Sequence, residues 1–413
     1  MKSKFWMALV AGGLSLSAHA QDVLSAWLPP AERVQAIVKA SHGILAAQSQ
    51  QAAQLQRARA TEMGPGEFTL RLNQQQRKTF DADSRFREQL VSLERPVRWW
   101  GKAGLDANLA EQSRQVARMA YADALHEASR ELMRQWFELH KLALLRDGTA
   151  AQAQLSQELY RQAQLRLKQG DISQLDASLA QAELQRAQAA QALSQAQWSA
   201  AWAQAQKRYP GLPEPVWPKA QGDVADLPAL QPLLQTFLEN HHELNLRRAE
   251  VQRLRLQAER LDRDRLPDPV LGVYTARERA GAESIVGVSV GFALPGSVRQ
   301  AHAAAALAEA NQLEEQVQQM TLELGSAFEA RWRGLQMQRQ ALSNLQAAAH
   351  TQTQAVQQSA KAFAMGEHSM TELIQNRRLA QESVRESHKL QLELVEAWAL
   401  MNLDLHRIWD FDE

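Results

Sequence analysis

From Val286 to Leu294 the chain alternates without a slip. Val286, Val288, Val290, Phe292 and Leu294 are large and apolar, and Gly287, Ser289, Gly291 and Ala293 between them are small. Period-two alternation predicts a β-strand with one apolar face and one small, wettable face. Pro295-Gly296 ends a strand running from Ser284 to Leu294, and Val270 to Ala276 supplies its partner across a loop at Arg277 to Glu283. A weaker hairpin lies upstream. Phe68, Leu70 and Leu72 alternate with Glu67, Thr69, Arg71 and Asn73, and a polar loop follows from about Gln74 to Asp83. A second run, Arg85 to Arg95, carries Phe86, Leu90, Val91 and Leu93. Its parity breaks at Leu90-Val91, where a bulge is expected. Arg71, Arg85, Arg87 and Glu88 make this hairpin charged, and with parity kept most of them face away from the apolar side.

Almost everything else reads as helix. One helix is expected from Pro29 to about Met63, stopped by Gly64-Pro65-Gly66. Leu105 to about Arg208 is a helical pattern broken mainly at Gly148 and Gly170, with Leu125, Leu132 and Leu139 seven apart and Trp136 and Ala143 in the alternate position. A sustained seven-residue repeat is a seam for packing along another helix. Helix is expected again from Leu227 to just before Pro267, and from Val298 to Ile408 with an interruption at Gly366. Leu394, Trp398, Met401, Leu405 and Ile408 continue the heptad spacing.

The two halves repeat. Gly170-Asp171 maps onto Gly366-Glu367, Ser173 onto Ser369, Trp136 onto Trp332 and Trp202 onto Trp398, an offset of 196. The period is too long for a solenoid, so a large unit of helix, hairpin, long helix, turn and returning helix is duplicated. Residues 21–209 form the first repeat, 210–226 a proline-rich connector and 227–413 the second repeat. Residues 1–20 read as a signal peptide: Lys2 and Lys4 precede an apolar run, and Ala18-His19-Ala20 offers a cleavage site. No later stretch offers the roughly 20 apolar residues of a transmembrane helix. Strands among long helices then point to a barrel wall in lipid, where backbone groups must be paired and the outward face must be apolar.

Composition narrows the function. The 413 residues carry formal net charge +0 and no cysteine. Zero net charge gives no pull toward nucleic acid, and the lack of cysteine excludes disulfides, thiolate metal sites and a lipid anchor on an N-terminal cysteine. No nucleophile–base pair, glycine-rich phosphate loop or paired metal motif stands out, so neither an enzyme nor a cofactor is expected. His241-His242-Glu243 reads as helix surface, because adjacent histidines diverge by about 100°.

At this point the sequence resembles the TolC family of outer-membrane efflux proteins over essentially the whole mature chain. The resemblance rests on the duplication and three signatures. These are Pro267-Asp268-Pro269 ahead of a strand, the strand-to-helix breaks at Pro295-Gly296 and Pro96 to Gly101, and the tip motifs Gly170-Asp-Ile-Ser-Gln-Leu-Asp176 and Gly366-Glu-His-Ser-Met-Thr-Glu372. It implies a mainly α fold with a small β part: a duplicated long-helix coiled-coil barrel, with two β-hairpins per protomer. Three protomers would complete a twelve-stranded barrel in outer-membrane lipid above a periplasmic helical tunnel. The implied function is a passive exit duct served by a periplasmic adaptor and an inner-membrane RND-type pump. Glu94-Arg-Pro-Val-Arg-Trp-Trp-Gly-Lys102 looks like the heavy-metal-cation branch of the family. The rival from another class is a periplasmic coiled-coil scaffold or adaptor without a pore, but adaptors usually set one helical hairpin among many strands.

The resemblance also assigns residues. Asp176 and Glu372 would ring a periplasmic constriction, with His368 beside them, and Gly170, Asp171, Met365, Gly366 and Glu367 would form adaptor-docking tips. Where relatives have an arginine two residues after the tip glycine, this chain has Ile172 and His368. The plainer reading of Asp176 and Glu372 is an acid in the first turn of a helix, favoured by the helix dipole. Trp99-Trp100 suits a lipid–water boundary or the strand–helix junction, while Trp136, Trp332 and Trp398 are expected in the core.

Overall fold

The computed structural model describes residues 24–80, 84–218, 227–294 and 296–411. The expected signal peptide, residues 1–20, lies outside the described residues, as do residues 219–226 of the expected connector. The chain forms two compact units. One, the sheet unit, gathers Ala46–Asp123 and His242–Leu322; the other, the hairpin unit, gathers Met1–Leu45, Ala124–His241 and Glu323–Glu413.

The sheet unit is built on strands β1 (Thr69–Thr79), β2 (Ser84–Pro96), β3 (Pro269–Glu278) and β4 (Glu283–Phe292). They pair antiparallel in the order β1-β2-β3-β4, which leaves β1 and β4 as edges. The register of β1 on β2 is unbroken from Thr69↔Glu94 to Thr79↔Ser84. Two expectations are thereby corrected. Gln74 to Thr79 is strand rather than loop, because its polar side chains find partners across the ladder: Gln75 Nε2 donates to Glu88 Oε2 at 2.8 Å and Arg77 Nε lies 3.1 Å from Glu88 Oε1. There is also no bulge at Leu90-Val91, since Leu72↔Val91 and Asn73↔Leu90 are consecutive pairs. The change of parity means only that Leu90 and Phe86 sit on the other face. The expected Arg277–Glu283 loop shrinks to a 3-10 turn, Arg279–Gly281, with positive φ at all three residues.

The helices are α1 (Ala31–Ala40), α2 (His42–Met63), α3 (Lys102–Gln169), α4 (Gln174–Arg208), α5 (Leu230–Asn240), α6 (His242–Arg263), α7 (Ser297–Met365) and α8 (Met370–Asp404). The long helices of the two repeats match, at 68 and 69 residues, and the returning helices at 35 each. Gly148 lies inside α3 without interrupting it, at a cost of about 1 kcal/mol against alanine. The helices expected from Pro29 and Leu227 are each broken once, where Ser41 and His241 turn to extended ψ of 142° and 117°. Among the described residues no helix is long and apolar enough to cross a membrane.

The hairpin unit has the larger core. Leu132, Phe137, Leu139, Phe328, Leu335, Leu394, Trp398 and Met401 are buried, following the heptad seams. The duplication extends to hydrogen bonds: Trp136 Nε1 donates to Trp27 O at 2.7 Å, and Trp332 Nε1 donates to Pro228 O at 3.1 Å.

Candidate channel surfaces: the two-faced sheet and the paired tips

The continuous register decides what each face of the sheet carries. Along β1, β2, β3 and β4 one row reads Leu72, Val91, Thr275 and Val286, and the next reads Leu70, Leu93, Val273 and Val288. A third joins Arg95, Leu271 and Val290, and Pro269 pairs with Phe292. This face is apolar and open to solvent, with Leu72 70% exposed, Val286 83% and Val288 78%. Four strands so aligned leave a continuous apolar surface far larger than a lone exposed side chain would. Farther toward the hairpin turns the same face becomes polar, through Gln74, Gln89 and Arg277 and then Gln76 and Arg87. Arg85 and Arg87 are therefore on the apolar side, contrary to the expectation that most of the charges would avoid it. They lie beyond the apolar rows, next to the turn.

The opposite face mixes ion pairs and small residues with Phe86, Leu90, Tyr274 and Ile285. Arg71 pairs with Glu94 at 3.6 Å, and Arg77 bridges Glu88 and Glu278. Gly272, Gly287, Ser289 and Gly291 lie here too. Gly287 lies under the Tyr274 ring, whose Cζ would come 2.5 Å from an added Cβ.

Where strands meet helices, charges alternate in a chain. Arg98 Nη1 donates to Asp106 at 3.0 Å, and Arg260 donates to Asp106 and Asp264 at 2.5 and 2.6 Å. Lys102, 1% exposed, lies 3.1 Å from Asp264 and 3.0 Å from Asp268 and donates to Leu266 O at 2.7 Å. Burial raises the Asp264 carboxyl, but Arg260 and Lys102 outweigh it and hold it below the usual range. Asp268 also accepts from Trp99 N–H at 3.1 Å, so the Pro-Asp-Pro signature ties the end of β2 to the start of β3. Trp99 and Trp100 stack at 5.6 Å and stay about half exposed, the Trp100 indole donating to Pro267 O. Sequence reasoning noticed Arg98, Trp99, Trp100, Lys102 and Asp268 within their own segments and missed Asp106, Arg260, Asp264 and the network, whose members are up to 170 positions apart.

The two tips in the hairpin unit have one design. Gly170 and Gly366 take φ of 79° and 80°. The N–H of the following acid reaches back five residues, Asp171 to Arg166 O and Glu367 to Ala362 O, each at 2.9 Å. That is the helix-ending motif for which glycine is favoured. Two residues later a serine starts the return. Ser173 Oγ accepts from Asp176 N–H at 3.1 Å while Asp176 Oδ2 accepts from Ser173 N–H at 3.2 Å. Ser369 and Glu372 repeat this capping box at 3.2 and 2.8 Å. The Ser369 backbone N–H holds the Glu372 carboxyl below its usual range, with help from the Ser369 hydroxyl. Asp176 is half-buried and Glu372 exposed; both make the helix-start contacts of the plainer reading.

Behind the tips, Leu159, Ala163, Ala180, Met370 and Leu373 form a buried cluster that Ile172 packs against. His368 Nδ1 lies 3.4 Å from Ser359 Oγ, which also accepts from Asn376. Asp171, Met365 and Glu367 are exposed. Two cross-links were not foreseen from sequence: Arg166 over the Phe363 ring, and Arg378 forked onto Glu183. The histidines at 241–242 mark the helix break, with the His241 ring edge-on to Phe237 at 5.0 Å.

No family model matches the chain, and no curated protein matches it. Solved structures do. The outer-membrane channel OprN superposes with a TM-score of 0.75 at 14% identity, covering 92% of this chain and 90% of that one. The Campylobacter jejuni outer-membrane channel CmeC gives 0.73 at 13% identity, over 91% of this chain and 85% of that one. The Vibrio cholerae outer-membrane protein VceC gives 0.72 at 14% identity, over 91% and 95%.

The chain has the TolC-like outer-membrane channel fold.

Nearly the whole length of each channel is matched, so the duplicated helices and both hairpins belong to that architecture. The heavy-metal-cation branch draws no support from the likeness. In the segment Glu94–Lys102 that suggested it, Glu94 pairs with Arg71, Arg98 with Asp106 and Lys102 with Asp264 and Asp268, so the segment has structural partners of its own.

Proposed function

We propose that the protein is the outer-membrane channel of an efflux system. Three copies join the β4 edge of one to the β1 edge of the next and close a twelve-stranded barrel. The observation that carries this reading is the sheet: exposed apolar rows on one face, ion pairs and small residues on the other, and two free edges. Lipid requires both features, an apolar outer face and no unpaired edge. The half-exposed Trp99–Trp100 pair suits the lipid–water boundary at the helix end of the apolar band. Substrate is handed over by an inner-membrane RND-type pump through a periplasmic adaptor that grips the tips at Gly170-Asp171 and Met365-Gly366-Glu367. The channel itself is passive and makes no chemical change in what it conducts.

Asp176 and Glu372 are read as a ring of six carboxylates near the periplasmic mouth, with His368 adding positive charge when protonated. Converging carboxylates favour cations over anions. Their capping contacts are compatible with this role, since each acid bonds through one oxygen. The test is planar-bilayer conductance of the purified mature protein beside Asp176→Asn/Glu372→Gln. Amides still accept the capping hydrogen bond, so the double variant removes charge and keeps the turns. Cation-selective conductance that loses its selectivity in the variant is the expected result. Unchanged selectivity would remove the carboxylate ring and keep the channel. A protein soluble without detergent and unable to conduct would overturn the channel and favour the pore-less scaffold.

A further inference from the structure

The hairpin unit holds a cavity between α3, α7 and α8. Leu144, Leu145 and Leu155 of α3, Val356 of α7 and Val384 of α8 line a space of about 560 Å³. That is within the roughly 300–1,000 Å³ typical of ligand pockets. Its charged lining is mainly cationic: Arg377, Arg378 and Arg385 stand against a single acid, Glu382. Arg378 is already committed to Glu183 of α4. Arg377 and Arg385 have no side-chain partner among the described residues, and Arg377 is half-buried. Withdrawing a guanidinium from water without a counter-charge is costly. Burial accordingly pushes the Arg377 pKa down. An anion in the cavity would offset that cost, and the leucines would cover an apolar body attached to it.

We propose that the groove between α3 and α8 binds an amphipathic organic anion, its apolar body against Leu144, Leu145 and Leu155 and its carboxylate, sulfonate or phosphate head on Arg377 and Arg385. The site lies wholly within the hairpin unit and does not depend on the channel reading. Arginine suits the role because its planar fork meets such heads with two parallel hydrogen bonds.

The test is equilibrium dialysis of the full-length protein in a non-ionic detergent, with detergent-only blanks. The probes are 1-naphthalenesulfonate and the neutral, shape-matched 1-naphthalenesulfonamide. Wild type is expected to bind the sulfonate at least about tenfold more tightly than the sulfonamide, the scale of a hydrogen bond to a charged group. Arg377→Gln should lose that preference while still binding the sulfonamide. Arg161→Gln, an exposed α3 position outside the groove, should keep it. The sulfonate should also raise the melting temperature of wild type and leave that of Arg377→Gln unmoved. If Arg377→Gln does not fold, Arg385→Gln takes its place. The proposal fails if wild type binds no sulfonate, as a groove filled by a second copy would give. It fails equally if the two probes bind alike, if the preference survives Arg377→Gln, or if Arg161→Gln loses it too.

Discussion

The two returning helices end at equivalent positions with opposite chemistry. α4 ends at Arg208 and α8 at Asp404, the same offset of 196 that relates the tips. A cation at a helix C-terminus complements the dipole and an anion opposes it. Arg208 follows the rule: exposed, 3.2 Å from Glu131, its guanidinium over the Tyr209 ring. Asp404 breaks it. It is 2% exposed, yet Arg130 and Arg331 donate to it at 2.7 and 2.8 Å and His126 lies 3.6 Å away. Burial raises the Asp404 carboxyl, but His126 and the two arginines outweigh it and hold it below its usual range. The two helices end at matching positions, but their caps and side chains differ. One copy kept an ordinary surface ending; the other became a node joining α3, α7 and α8.

That contrast gives the largest expected effect. Asp404→Ala leaves two inward-facing arginines without their acid and should cost about 3–5 kcal/mol, the range for breaking one side of a buried pair. Arg208→Ala removes an exposed pair and should cost about 0–1 kcal/mol. Thermal unfolding of the full-length protein in detergent, followed by circular dichroism, ranks the two. Similar losses would mean that Asp404 is held no more tightly than a surface acid.

A second contrast pairs His140 with Gln336, its exposed counterpart in the other repeat. His140 is 2% exposed, its ring edge-on to Trp27 and Trp136 at 5.6 and 5.0 Å. Burial lowers its pKa from 6.5 to about 4, against a smaller opposing pull from the Trp27 backbone. Between these values the unfolded chain binds the proton and the folded chain does not. The associated stability is therefore complete above pH 6.5 and declines as pH falls toward 4. At about 1.4 kcal/mol per unit, the loss should be about 3 kcal/mol. Denaturation midpoints across this window should fall steeply in wild type and more gently in His140→Phe. His388, also lowered by burial, accounts for part of what remains. Parallel curves would show that His140 already binds its proton in the fold.

Most of the architecture was legible because it rests on periodicity. Strict alternation found β4, heptads found the long helices, and two glycine–acid–x–serine motifs found both tips. The errors have a common cause. Gln74 to Thr79 looked like a loop because strand polarity there is satisfied by Glu88 and Glu278, residues of other strands. The break at His241 carries no proline or glycine and falls at the unit boundary, and that at Ser41 has only Gly43 near it, which gave no clear stop signal. The network of Lys102, Asp106, Arg260 and Asp264 was invisible because no local pattern records which charges meet. The tips show the converse: their backbone could be read locally, whereas what Asp176 and Glu372 face is, in the proposed trimer, set by the other copies.

The smallest predicted difference is between those tips. Ser173 and Ser369 accept from the N3 amide at 3.1 and 3.2 Å, so the two capping boxes should be nearly equal in strength. Ser173→Ala and Ser369→Ala should each cost about 1 kcal/mol. Because a helix end can open without the whole chain unfolding, the loss should appear as faster hydrogen exchange at the Asp176 and Glu372 amides, about fivefold for 1 kcal/mol. The acids should separate the tips slightly. Glu372 accepts from its serine N–H at 2.8 Å and Asp176 at 3.2 Å, so Glu372→Ala should speed exchange at Ser369 more than Asp176→Ala does at Ser173. No effect from either acid would mean that the serine alone holds each turn, leaving the carboxylates free for another role.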